Sequence, residues 1–117
     1  QLTAVGPLSL GNLRVDADDS VTTTSTTEAT LDTFSLLAYR SGKYHLQATS
    51  GSNYHATEVM VIHDGSNAYF SQYGDITTGT SLFTLSVDTS SGSVRLRVIP
   101  ASANSTVFKF SRNILKV

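Results

Sequence analysis

The residues of this sequence that could do chemistry are three histidines and nine carboxylates. Several of them gather in the stretch YHATEVMVIHDGSNAY, from Tyr54 to Tyr69. His55, Glu58, His63 and Asp64 are donor types suited to a metal site or an acid–base pair. Their spacing argues against both. On one extended segment, eight residues separate His55 from His63, roughly 26 Å at about 3.3 Å per residue, too far to share an ion within one copy. His45 could join either histidine, but nothing in the spacing brings it there. No metal site and no cofactor is expected.

Other motifs are equally bare. Asp16, Asp18 and Asp19 resemble the opening of a calcium loop but lack its glycine and its closing glutamate. There is no G-x-S-x-G, no glycine-rich phosphate loop and no H-E-x-x-H. A Ser–His–Asp triad could be drawn from so many serines that no single combination has weight. A polysaccharide depolymerase would need two carboxylates about 5–10 Å apart in a groove, and these acids are scattered mostly in turns. The expectation is a protein with no catalytic residues, and not an enzyme.

What remains of the stretch is structural. TEVMVI (Thr57 to Ile62) is apolar on both faces after Glu58, as in a strand covered on two sides. Asp64-Gly65 marks a tight turn. In the returning AYFSQYGD, Tyr69 and Tyr73 share one face, with Phe70 and Gln72 on the other. Val59, Met60, Val61 and Ile62 are therefore candidate subunit-interface residues. Tyr54, His55, Tyr69 and Tyr73 are candidate surface or ligand contacts, with His55 and His63 flanking the strand on its rims.

The elements that must position these residues repeat one pattern. GKYHLQATS alternates Tyr44, Leu46 and Ala48 against Lys43, His45, Gln47 and Thr49. SLFTLSVD, SVRLRVIP and TVFKFSRNILKV alternate likewise, with Arg95 and Arg97 on a solvated face. LDTFSLLAY places Phe34, Leu36 and Ala38 together, and Ser41-Gly42 reads as a turn. VTTTSTTEAT reads as an extended segment rather than a linker, because threonine is stiff and strand-prone. No stretch holds a 3.6-residue period. Seventeen Ser and sixteen Thr fill the place of missing charge, which is 15% against about 25% in ordinary domains.

These features predict an all-β fold, an antiparallel β-sandwich (jelly-roll-like) of about 7–9 short strands. Residues 1–20 would form an N-terminal extended segment and 21–117 a single sandwich domain. A net charge of −1 argues against nucleic acid as partner, and no apolar run approaches a membrane span. Without cysteine, stability must come from packing or association.

With the strands placed, most of the chain from about Val21 onward resembles a C-terminal module of virion structural proteins of tailed bacteriophages, of the marine and cyanobacterial-phage type. The residues that carry the resemblance are Tyr39-Arg40-Ser41 with Lys43-Tyr44, the block Tyr54 to Gly65, Tyr73-Gly74, and Val94-Arg95-Leu96 leading to Pro100. The resemblance implies a non-enzymatic virion building block, part of a tail fibre, appendage or particle surface. It would self-associate, with a trimer favoured, and contact other virion proteins. The alternatives it leaves are a capsid decoration protein or a receptor- or glycan-binding module.

Overall fold

The computed structural model describes residues 7–17 and 20–117; Asp18 and Asp19 of the calcium-like run lie outside them. Ten strands account for most of the described chain, and none of it is helical. They are β1 (Leu8–Leu10), β2 (Leu13–Ala17), β3 (Val21–Thr23), β4 (Ala29–Ser35), β5 (Tyr39–Ser50), β6 (Asn53–His63), β7 (Ala68–Thr77), β8 (Phe83–Ser90), β9 (Ser93–Pro100) and β10 (Thr106–Lys116). The expected antiparallel sandwich is present, with more strands than expected because β1 and β3 are only three residues each.

Seven strands form one sheet in the order β1-β2-β10-β5-β6-β7, with β3 also paired to β10. The other sheet has three, in the order β4-β9-β8. Every pairing is antiparallel. The molecule measures 41 × 40 × 23 Å, and its short dimension fits two sheets packed about 10 Å apart.

The alternation read from the sequence sets the inward faces. Tyr44, Leu46 and Ala48 of β5, Val59 and Val61 of β6, and Phe108, Phe110 and Ile114 of β10 meet Phe34, Phe83, Val94, Leu96 and Val98 from the smaller sheet. Each large apolar side chain so buried contributes about 1.5–3 kcal/mol. Aromatic edges interlock within this layer: Tyr44 meets Phe110 and Phe83 meets Phe108, both near-perpendicular.

One turn expectation needs correction. Ser41-Gly42 is not a turn but lies inside β5. The chain turns instead at residues 36–38. That also removes Leu36 and Ala38 from the strand face expected of them. Gly42 points inward, where a Cβ would meet Ile114 Cγ2 at 2.9 Å; the glycine is there to let β10 close on β5. The Ser90–Ser93 hairpin has both central residues, Ser91 and Gly92, at positive φ, the backbone of a type I′ turn.

The sheets are unequal, so the smaller one covers only the middle of the larger. Beyond that cover a polar cluster fastens them. Arg112 on β10 donates to Asp16 of β2 (2.8 Å), to Asp32 of β4 (2.7 Å) and to the Thr33 carbonyl. The Tyr44 hydroxyl donates to the same Asp32 oxygen at 2.7 Å. Burial raises the Asp32 pKa despite these partners. Tyr44 is raised too, by burial first and then by the neighbouring carboxylate.

Candidate functional site

His55 and His63 both turn inward, since positions 55 to 63 of the same parity share the core face of β6. His55 is buried, so its assignment as a surface contact is corrected. Its Nδ1 accepts the Leu82 backbone N–H at 3.1 Å, which leaves Nε2 protonated and donating to Asp75 at 2.6 Å. The ring also stacks on Phe83, with centroids 4.0 Å apart. Hydrogen bonding to His55 is the main cause that holds the Asp75 carboxyl below its usual range.

Asp75 reaches inward because of a bulge. Between the Ala56–Ile76 and Glu58–Tyr73 pairs, β7 carries one residue more than β6, and Gly74 takes the positive φ this requires. His63 is held in the same manner at the other end of β6. Its Nδ1 accepts from Gly65 N–H, and Nε2 donates to the Tyr39 carbonyl. Among the described residues no cluster of histidine and carboxylate groups could hold a metal ion. Asp64 shapes its own loop, accepting from Ser66 and Asn67 N–H, which lower its pKa.

Two pairs of carboxylates are each bridged by an arginine. Arg112 joins Asp16 and Asp32, whose side chains are only 12% and 9% exposed, out of a polymer's reach. Arg97 joins Glu28 at 2.6 Å and Asp88 at 3.9 Å on the outer face of the smaller sheet. Arg95 adds two hydrogen bonds to Asp88 and lowers its pKa, so Asp88 holds no proton at neutral pH to give to a leaving group. The expected solvated face of Arg95 and Arg97 is thus an ion-paired one.

The remaining candidates lie on the outer face of the larger sheet, which no other described element covers. Val59 and Val61 point into the core, so no neighbour can reach them, and their place as interface residues is corrected. Met60 and Ile62 face outward and are 49% and 50% exposed. The strand is apolar on both sides, but its second side is the open one.

Register places these residues in rows across the strands. At one end, Leu10, Leu13, Leu115, Ser41, Ile62 and Tyr69 follow one another through successive pairings from β1 to β7. This apolar band, broken only by Ser41, crosses six strands, about 24 Å at the usual strand spacing. The next row contains Leu8, Lys43 and Met60. A polar row follows, with His45, Glu58 and Tyr73, where Lys43 pairs with Glu58. Tyr69 and Tyr73 therefore share the outer face, as the alternation predicts.

At the hairpin end the surface is hollow. The rows Lys109–Gln47–Ala56–Ile76 and Val107–Thr49–Tyr54 enclose two adjoining concavities of about 240 Å³ each, which meet at Gln47 and Thr49. Tyr54 stands at its wall, 52% exposed, beside Ile76 at 67%. Gln47, Ile76, Lys109 and the apolar band's Leu10 and Leu115 were not singled out from sequence. Their outward direction was legible from alternation. Their meeting depends on the β5–β10 and β2–β10 pairings between distant parts of the chain, which alternation does not reveal.

No family model and no curated protein matches this sequence. Solved structures do share its fold. The tailspike protein of Acinetobacter baumannii phage AM24 superposes with a TM-score of 0.54 at 7% identity, over 91% of this chain and 26% of that one. The tailspike of Acinetobacter phage vB_ApiP_P1 gives 0.50 at 19% identity, over 100% and 25%. Tailspike gp49 from A. baumannii bacteriophage Fri1, described as a capsular polysaccharide depolymerase, gives 0.52 at 13% identity, over 100% and 22%. The chain thus spans about a quarter of the length of the tailspikes it matches. The expectation that the protein is not an enzyme is corrected by this finding. The fold occurs inside a depolymerase, so missing nucleophile and metal motifs give no ground for excluding enzymatic function. The sandwich of this chain is one that phage tailspikes share.

Proposed function

We propose that this chain is a module of a phage tail appendage, of tailspike or tail-fibre type, carried on the virion. It assembles there with further copies of itself, as a trimer, through the apolar end of the larger sheet's outer face. The observation that carries this reading is the band Leu10–Leu13–Leu115–Ile62–Tyr69. Monomers seldom leave so contiguous an apolar surface open, and such patches mark association sites. The band crosses six strands and continues into Met60 and Leu8, an apolar surface that neighbouring copies around a three-fold axis would cover. The shared fold supports the placement in an appendage. The neighbour described as a depolymerase acts on a capsular polysaccharide, and we carry bacterial surface polysaccharide over as the ligand class of this protein.

Native mass spectrometry and light scattering on the full chain test the reading. A trimer is expected, and the double variant Ile62→Lys/Tyr69→Lys is expected to be monomeric with unchanged far-UV circular dichroism. A parent chain that stays monomeric at high concentration would overturn the assembly.

A further inference from the structure

The hollow at the hairpin end is separate from the apolar band. Ile62 and Ala56 are six residues apart on β6, about 20 Å at the usual rise, so both regions can be occupied at once. We propose that this hollow binds an acidic oligosaccharide, laid across β7, β6, β5 and β10. The proposal rests on the polysaccharide reading above and gives it a site.

The floor is made by small side chains, Ala56, Thr49 and Val107, between taller ones. That alternation across neighbouring strands turns a flat sheet into a trough. Each concavity alone falls short of ordinary ligand sites, about 300–1,000 Å³, and together they reach that range. Tyr54 and Ile76 offer an aromatic and an aliphatic surface to the C–H face of a sugar ring. Tyrosine suits such a wet site because its ring is apolar and its hydroxyl is not. None of the described residues occupies them.

Polar groups set the ligand's class. Gln47 sits where the two concavities meet, and its amide makes no hydrogen bond among the described residues. Lys109 closes the far end and forms no ion pair among the described residues. The nearest charged row is already neutralised, since Glu58 pairs with Lys43. Asp75, below Ile76, is turned to His55 and Gln72. The trough therefore presents one uncompensated positive charge, which selects a carboxylate-bearing sugar over a neutral one. From Lys109 to Ile76 is three strand spacings, about 14 Å, room for a short oligosaccharide.

The backing is rigid. Beneath Tyr54 and Ala56, His55 is fixed by Asp75, by the Leu82 N–H and by Phe83, and the Tyr54 backbone is tied on both sides to Thr78. A site held this way loses little freedom on binding.

Titration of isotope-labelled full chain with tetragalacturonate, a hyaluronan tetrasaccharide and neutral maltotetraose, followed by NMR, tests the proposal. Shifts are expected at Gln47, Tyr54, Thr78 and Lys109 with the acidic sugars. Affinity for them is expected to fall at least about tenfold in Tyr54→Ala and in Lys109→Gln. Added salt should weaken binding to the parent chain but not to Lys109→Gln. Both residues are exposed, and circular dichroism will show that each variant keeps its fold. Equal binding of maltotetraose, shifts confined to other residues, or no shift with either acidic sugar at millimolar concentration would overturn the site. Native mass spectrometry on the same samples separates the two readings. A trimer that ignores sugars removes this site alone, and a monomer that binds them removes the assembly alone.

Discussion

Arg112→Met probes how the two sheets are fastened. Methionine keeps the apolar stem and removes the guanidinium that holds Asp16 at 2.8 Å and Asp32 at 2.7 Å. Two carboxylates lose their shared cation, and Asp32 keeps only the Tyr44 hydroxyl as a side-chain donor. Breaking a fully buried ion pair costs about 3–5 kcal/mol. Arg112 retains some contact with solvent, its side chain being 12% exposed, so the expected loss at neutral pH is about 2–3 kcal/mol. The loss also depends on pH. Burial already raises the Asp32 pKa above its unfolded value, so the folded state binds this proton more tightly. Stability from this group therefore grows as pH falls through the folded pKa. Removing Arg112 raises that pKa further, so the penalty of the variant shrinks by about 1 kcal/mol towards pH 5. Urea unfolding followed by far-UV circular dichroism and tyrosine fluorescence measures both effects. Adding Asp32→Asn should restore about 1 kcal/mol as a coupling energy. A loss under about 0.5 kcal/mol at neutral pH, or one independent of pH, would refute the reasoning.

Gly42→Ala places a methyl group against Ile114 Cγ2 at 2.9 Å and is expected to cost about 1–3 kcal/mol by overpacking, readable as a lower urea midpoint at unchanged slope. Asp75→Asn removes a carboxylate whose folded pKa is depressed by His55. Its stabilising effect is present above the unfolded pKa and is lost as pH falls through the folded one, so the variant's melting temperature should vary less on acidification below about pH 4.

Much of the sandwich was legible in the sequence, because β5, β9 and β10 each bury one face and alternate cleanly. Gly42 misled for a physical reason: in a Ser-Gly pair, a glycine that makes room for a packed side chain looks the same as one that makes a turn. TEVMVI misled differently. Apolar residues on both faces show that the outer face is not built for water, without showing that anything in the same chain covers it. The histidines' burial followed from parity with Val59 and Val61, yet their partners did not. Asp75 faces His55 only through the bulge at Gly74, and the Leu82 N–H belongs to the next loop. The trough and the band were least legible, since both are assembled by register between strands far apart in sequence.

The position of β10 in the sheet has a consequence for the order of events during synthesis. This strand, the last of the ten, pairs with β2 and β3 on one side and with β5 on the other. Arg112 and Asp16, joined in the finished molecule, are 96 residues apart in sequence. Until β10 has left the ribosome, β2 and β3 lack the edge on which they dock, and β5 carries one open side. The hairpins β5–β6–β7 and β8–β9 can form locally beforehand, whereas β2 and β3, made earlier than these, are seated only with β10. A nascent chain of this design keeps one side of its central β5 open until β10 arrives, and the slow, non-local step of its folding waits on that strand.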